Sequence, residues 1–353
     1  MNLRTVRCLA VSILVVGLVS LNLGCVASDK STIQQASAFD SGLKPATIPA
    51  GQTNQYLQQI GGRIIAAAKQ ADQQKIGPHA HFDKGDNSWM FKDIQFQLVN
   101  SKQINAFTTG GHFVYIYIEL FKMCKTEDEL AAVMSHEYGH IYCRHVQKGT
   151  GRQQTLQLAT LAAGGAGYLA GGSQQGGQYA QSLMQAAQAG GGFIDMGFTR
   201  DDEAQADQFG FMFYTHAGWD PNHFADFFKD MIAAGYDKGS ALTSDHPTLK
   251  SRVEATEKRI KEQDPQRVAK FRKPDIATQQ QFDQYKQEAL RAAQTVPDDQ
   301  KVLQAKNLLQ ALPRSCWLPY EPEDQKQAQQ KIIQEAQQRE QAKQPQQQKQ
   351  SAQ

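Results

Sequence analysis

The chain lacks an excess of charge of either sign. Its 353 residues carry 37 Lys and Arg against 35 Asp and Glu, a formal +2. A dedicated nucleic-acid binder normally shows a clear basic surplus, so no nucleic-acid partner is expected. Long hydrophobic runs are also missing beyond the N-terminus, and a mean hydropathy of −0.55 excludes a multi-span membrane protein. There is no convincing internal repeat, which argues against a tetratricopeptide array. What is present is a chain with 40% hydrophobic and 20% charged residues, a mixture that buries a core. Its length suits one large domain, or one domain with an appendage.

The single apolar run opens the chain. Arg4 and Arg7 precede a stretch from Cys8 to Leu23 that is almost wholly apolar. It is short for a transmembrane helix and reads, over residues 1–24, as a secretory signal. Gly24-Cys25 resembles a bacterial lipobox, although Asn22 stands where Leu is usual. On that reading Cys25 is acylated and becomes the N-terminus. The alternative is cleavage after Ala27, with Cys25 discarded. By resemblance to Gram-negative lipoproteins, Val26 in place of Asp favours the outer membrane, facing the periplasm. The signal also holds the whole charge surplus: without Arg4 and Arg7 the count is 35 against 35.

Cysteine is scarce, and an exported chain is allowed disulfides. Of the five, Cys124, Cys143 and Cys316 follow the signal region. Cys124 and Cys143 flank one expected helix, which would hold them about 28 Å apart, far beyond the roughly 7 Å a disulfide tolerates. Cys316 could bridge to either, or all three could be buried or free thiols.

Residues 25–50 read as a polar tether. Tyr56, Leu57, Ile60, Ile64, Ile65 and Ala68 recur at helical spacing. Ile94, Phe96 and Leu98 alternate with Gln95 and Gln97, as in a half-buried strand. Further strands are expected at 104–107 and 113–118. Thr126 with Glu129 forms a capping box ahead of the apolar positions Leu130, Val133, Met134 and Ile141. From Thr155 to Gly192 the chain is rich in Ala, Gly and Gln, and suggests helices with Gly-rich turns, as a flap near the site or a membrane-leaning hairpin. Helical patterns return over 201–216 and 222–234. The boundaries that follow are a main domain over 51–260, a helical extension over 261–320 and a Gln-rich tail over 321–353, disordered or fraying.

Chemistry concentrates in His136-Glu137-Tyr138-Gly139-His140. Two His four apart lie on one helix face, one turn above the other, and can both reach one zinc ion. Glu137 beside them can take a proton from water on the metal. Zinc needs a third protein ligand, and Glu203 is the candidate. Asp207 lies one turn further on, placed to receive the free N–H of a metal-bound His. Read alone, this acidic run would be a solvated helix start.

His136-Glu137-x-x-His140 followed by Glu203-x-x-x-Asp207 resembles the gluzincin metallopeptidases of the CAAX prenyl protease type I and heat-shock peptidase HtpX family. Asn105-Ala106-Phe107 with Gly110-Gly111 is similar to that family's strand before the catalytic helix. Arg200 precedes Glu203 as in its Arg-x-x-Glu-x-x-Ala-Asp. His246-Pro247 with Arg252 resembles its His-Pro-x-x-x-x-Arg segment. Thr109 stands where the family often has Pro, and Glu119-Leu120 where it often has Gly-Leu. The resemblance covers about residues 56–260. It implies an α+β, mostly helical zincin-like domain with a small antiparallel sheet beside the active-site helix.

It also implies one zinc ion and endopeptidase activity on unfolded or misassembled envelope proteins. The soluble lipoprotein branch fits best, near the beta-barrel assembly-enhancing and Oma-like peptidases, with outer-membrane assembly machinery as a candidate partner. His136, His140 and Glu203 would hold the zinc and Glu137 would act as general base. His246 would donate to developing charge or occupy the fourth metal position; a plain helix-start role before Pro247 is equally open. Arg252 would brace the Glu203–Asp207 helix, and the strand at Asn105, Ala106 and Phe107 could take substrate by edge addition. His79, His81, His112 and His145 read as solvated or structural, His145 because it lies off the motif's face. The rival reading is a chaperone-like lipoprotein that holds clients without cutting them, with a structural or regulatory zinc. A general base at Glu137 counts against it.

Overall fold

The computed structural model describes residues 28–75, 86–149, 198–237, 247–273 and 275–310. Cys25, His79, His81, the Ala- and Gly-rich stretch from Thr155 to Gly192, His246, Cys316 and the Gln-rich tail lie outside the described residues.

Most of the expected tether is folded. Ser28 caps helix α1 (Asp29–Leu43), its hydroxyl accepting from Ser31 N at 3.2 Å. Thr32, Ala36, Phe39 and Leu43 are buried along it. They recur four, three and four apart, so one face is apolar while the segment's average stays polar. That face packs on aromatic rings of the sheet. Phe39 meets Phe107 edge-on at 6.1 Å, and Tyr115 donates its hydroxyl to Asp40 Oδ1 at 2.9 Å. Beyond a short turn at Lys44–Ala46, the chain runs beside strand β1 (Gln95–Val99). Ile48 N donates to Leu98 O at 2.9 Å and Asn100 N to Ala46 O at 2.8 Å.

β1, β2 (Ala106–Thr108) and β3 (Phe113–Tyr117) form one sheet in the order β1-β3-β2. β2 pairs antiparallel to β3, with Phe107 opposite Tyr115, whereas β1 pairs parallel to β3, with Gln97 opposite Tyr115. The sheet is therefore mixed, not purely antiparallel as expected. The chain reverses twice between β1 and β3, so these strands run the same way. With β3 in the middle, they must pair in parallel. Alternation then sorts the side chains. Phe96, Leu98, Val114 and Ile116 enter the main core, while Val99, Tyr115 and Tyr117 face α1.

The main core lies between the sheet and α2 (Gly51–Gln73), α3 (Ile118–Met123), α4 (Glu127–Tyr142), α5 (Arg200–His216) and α6 (Asp226–Ala233). α7 (Leu249–Glu262) packs on α5 and α6. A short α8 (Pro265–Ala269) leads to α9 (Gln279–Gln294) and α10 (Gln300–Gln310). These helices are tied to the body. Glu288 accepts from Thr53 N and Oγ1 at 2.9 and 2.6 Å. Tyr285 stacks on Tyr56 at 4.1 Å, and Ala305 and Leu309 of α10 join the cluster under α1. The fold is α+β and mostly helical, with a small sheet beside the helix that carries His136. Cys124 and Cys143 are both buried and free. Among the described residues no helix is long and apolar enough to cross a membrane.

Candidate metal centre

α4 begins with three acids, which suit the positive end of a helix. Thr126 Oγ1 accepts from Glu129 N at 3.3 Å, but the Glu129 carboxylate reaches Lys125 N at 2.8 Å and not Thr126 N. The expected box is thus half-formed, offset by one residue. Burial raises Glu129 to about 7, against the pull of that backbone N–H. Glu127 is buried and accepts from Tyr56 Oη at 2.8 Å, Trp219 Nε1 at 2.9 Å and Ala277 N at 2.8 Å. These bonds fix the start of a helix whose later turns carry the HExxH run.

α5 has the complete box. Thr199 Oγ1 accepts from Asp202 N at 3.1 Å, and Asp202 Oδ2 accepts from Thr199 N at 3.0 Å. The next turns present Glu203 and Asp207, one turn apart, to α4. The two helices approach closely because two residues have no side chain. A Cβ at Gly139 would lie 2.8 Å from Ala206 O, and one at Gly210 would lie 3.0 Å from the His136 backbone. Any larger residue at either position would push the carboxylates away from the imidazoles.

His136, His140 and Glu203 converge, all fully buried, with ligand atoms within 4.8 Å of one another. The two Nε2 atoms are 3.0 Å apart. Glu203 Oε2 is 3.5 Å from His136 Nε2, and Oε1 is 3.8 Å from His140 Nε2. Ligands about 2.0–2.1 Å from a tetrahedral zinc are separated by about 3.3 Å. The observed edges bracket that value, so the donor set fits a small divalent cation. Two imidazole nitrogens and a carboxylate are also the donor types zinc prefers.

Each His is held from behind by its Nδ1. For His136 the partner is Asp207 Oδ1 at 2.9 Å. Arg252 donates to both Asp207 oxygens, at 2.8 and 2.6 Å, and its Nη2 lies 3.1 Å from His136 Nδ1. Because the carboxylate is closer, Nδ1 donates to Asp207. Burial and Arg252 disfavour a charged His136. Its hydrogen bonds to Asp207 and Glu203 outweigh them and raise it to about 9. A cation at Nε2 would take the place of that proton. Burial opposes ionisation of Asp207, but Arg252 and His136 hold its carboxyl well below the usual range.

For His140 the partner is His145, expected off the motif's face. At 100° per residue an unbroken helix would turn His145 about 140° away from His140. The helix is broken, however. Cys143 and Arg144 form a turn, Arg144 adopts a left-handed φ of 55°, and helix resumes at His145. This turn brings His145, fully buried, to 2.8 Å from His140 Nδ1. Burial pushes its pKa down to about 4, against the nearby Asp202. Phe198 stacks on the other side of His140 at 3.9 Å. Sequence reasoning missed both contacts. A His five residues after the second motif His was a visible signal, but only the turn gives it meaning.

The other expected residues are placed as follows. Glu137 is buried on α4. Asn105 is buried immediately before β2, and Ala106 and Phe107 lie in β2, which packs against α4. Arg200 is exposed at the first turn of α5, and Arg252 is buried on α7.

The model of peptidase family M48 matches residues 52–260. The beta-barrel assembly-enhancing protease of Escherichia coli K12 is 30% identical over 214 residues, covering 60% of this chain and 39% of the relative. A putative beta-barrel assembly-enhancing protease of Vibrio cholerae is 27% identical over 220 residues, 61% of this chain and 41% of the relative. The mitochondrial metalloendopeptidase OMA1 of Schizosaccharomyces pombe is 26% identical over 216 residues, 60% and 54%. The chain thus spans about two fifths of the length of the two bacterial relatives.

Proposed function

The chain belongs to peptidase family M48, and on that premise we propose that it is a zinc-dependent endopeptidase of the cell envelope. The observation that carries this reading is the convergence of His136 Nε2, His140 Nε2 and the Glu203 carboxylate at one buried point. These three residues would hold one zinc ion. Zinc, when bound, supplies Lewis acidity that activates water near neutral pH and polarises a carbonyl. Glu137 takes the proton of the attacking water and passes it to the leaving amine. Asp207 receives the Nδ1–H of His136 and keeps that ring oriented, and Arg252 holds Asp207 in place. Arg200, exposed on the first turn of α5, would support the helix that carries Glu203. His246 would donate to the developing oxyanion or occupy the fourth metal position.

Substrate is an extended peptide added to the outer edge of β2. β2 pairs with β3 on one side, and among the described residues no strand pairs with its other edge. On the strand of Asn105, Ala106 and Phe107, Asn105 O already accepts from Tyr117 N at 3.0 Å, so by alternation Ala106 would offer the outward backbone groups for this addition. The substrates proposed are unfolded or misassembled envelope proteins, in line with the names of the bacterial relatives, and outer-membrane assembly machinery is the proposed partner. Acylation of Cys25 would hold the protein at the outer membrane, facing the periplasm.

The test is cleavage of casein by purified protein with measured zinc, beside Glu137→Gln. Wild type should cut. The variant should keep its zinc and lose at least about a hundredfold in rate, the scale of a general base. Wild type and Glu137→Gln equally inert with zinc bound would favour a non-cleaving, client-holding protein instead.

A further inference from the structure

Behind His140 lies a chain of side chains with no part in the chemistry above. His145 Nδ1 is 2.8 Å from His140 Nδ1. His145 Nε2 is 2.9 Å from Gln205 Oε1. Lys148 Nζ is 3.3 Å from the same oxygen. Two ring nitrogens at hydrogen-bonding distance share one proton, so one donates and the other accepts. The far end of the chain decides which. An ammonium group can only donate, so the amide atom facing Lys148 is the oxygen. That oxygen can only accept, so His145 Nε2 donates to it. Asp202 Oδ1, 3.7 Å from the same nitrogen, favours the same direction. A His140 that binds a cation through Nε2 carries its proton on Nδ1, so across 2.8 Å His145 Nδ1 must be the acceptor. With its proton on Nε2, His145 has a bare Nδ1, which accepts from His140 Nδ1–H. His140 Nε2 is then left with its lone pair aimed at the point it shares with His136 and Glu203.

We propose that His145, oriented by Gln205 and Lys148, is a positioning residue that sets the tautomer and ring angle of His140 for a divalent cation. The proposal rests on the reading of His140 as a metal ligand. It adds an unusual device to it. A metal-bound His commonly donates to a carboxylate, a carbonyl or water. Here the acceptor is a second neutral imidazole whose own direction is set by an amide and an ammonium. α4, the turn at Arg144 and α5 must all be in place for the relay to close, so the cation site is completed only when these elements are assembled.

The test uses the full chain and reads zinc affinity, by competition with a chromogenic chelator, together with the absorption spectrum of the cobalt-substituted protein. Gln205→Leu removes the acceptor, and His145→Phe removes the relay while keeping volume. Both should weaken zinc at least about tenfold and shift the cobalt bands. Gln205→Met keeps the side chain's length but offers no amide oxygen, so it should weaken zinc and shift the bands as Gln205→Leu does. Gln205 is half-buried, and its leucine variant carries the test even where His145→Phe does not fold. Unchanged affinity and spectrum in Gln205→Leu overturns the relay. So does weakening in Gln205→Leu beside wild-type affinity in Gln205→Met, which would mark a packing effect. A wild-type protein that takes up no zinc overturns the metal reading itself, and the relay with it.

Discussion

The two imidazoles of the HExxH run meet at one point but are supported from behind in different ways. His136 leans on charge: the buried Asp207 carboxylate, itself clamped by the buried Arg252 guanidinium, which also lies 4.1 Å over the Phe228 ring. His140 leans on a neutral imidazole, whose far nitrogen lies 3.7 Å from Asp202 Oδ1 and bonds an amide that also meets Lys148. Both arrangements hold Nδ1–H from behind, so that each Nε2 can turn its lone pair to a cation. The charged support brings a large desolvation cost that only a complete ion pair offsets. The neutral one costs little but depends on two hydrogen bonds running the same way to a Gln205 oxygen that a third, from Lys148, holds as acceptor.

The largest test of this contrast is stability. Asp207→Asn takes the carboxylate out of a buried ion pair with Arg252 and should cost about 3–5 kcal/mol in chemical denaturation. Gln205→Leu leaves the buried His145 N–H without its acceptor and should cost less, about 1–3 kcal/mol. Equal losses would erase the distinction between the supports.

The supports also differ in the sign of their pH dependence. His145 is pushed down to about 4 by burial, from about 6.5 unfolded. Its unfolded form binds a proton that the folded form refuses. Its contribution is therefore complete above about pH 6.5 and is lost as pH falls toward 4, worth up to about 3 kcal/mol. His136 is raised to about 9, so its contribution is complete below about 6.5 and is lost as pH rises through 9. With metal chelated, unfolding free energy should fall on both sides of about pH 6.5. His216, also pushed down to about 4 by burial, adds to the acid side. His145→Phe should flatten the acid limb alone, and Asp207→Asn the alkaline limb together with the part of the acid limb below about pH 4 that its depressed carboxyl supplies. Zinc should flatten the alkaline limb, because Nε2 then carries no proton. An acid limb identical in His145→Phe and wild type would show that His145 is not the neutral member.

The smallest effect is at the shared foundation. Thr199 caps the helix that supplies Glu203, Gln205 and Asp207. Thr199→Ala should cost about 1 kcal/mol and weaken both supports alike. A change in the cobalt spectrum confined to one imidazole would break that symmetry.

How far each support could be read in advance follows from its contacts. Spacing by four within one helix placed His136 with His140, and Glu203 with Asp207, before any coordinates. Arg252 was expected against the Asp207 helix, where it lies. The His145 contact was not legible, because helical periodicity turns that residue away and nothing in the residues around Arg144 announces a left-handed turn. Helix α1 was missed for another reason. Its four buried residues are outnumbered by polar ones, and composition averages over faces. The mixed sheet was missed because alternation identifies strands but not their order.

The sequence alone determined what repeats along one helix: two imidazoles on one face of α4 and two carboxylates on one face of α5. It also determined that two N-terminal arginines, Arg4 and Arg7, account for the charge surplus. Only the tertiary structure decided that those two faces meet, through the missing side chains of Gly139 and Gly210, and that His145 returns to close the relay. The reason is one of range. Local spacing follows from the 3.6-residue turn, which every stretch of helix obeys. A meeting between residues some 65 positions apart depends on how whole helices pack, which no local pattern encodes.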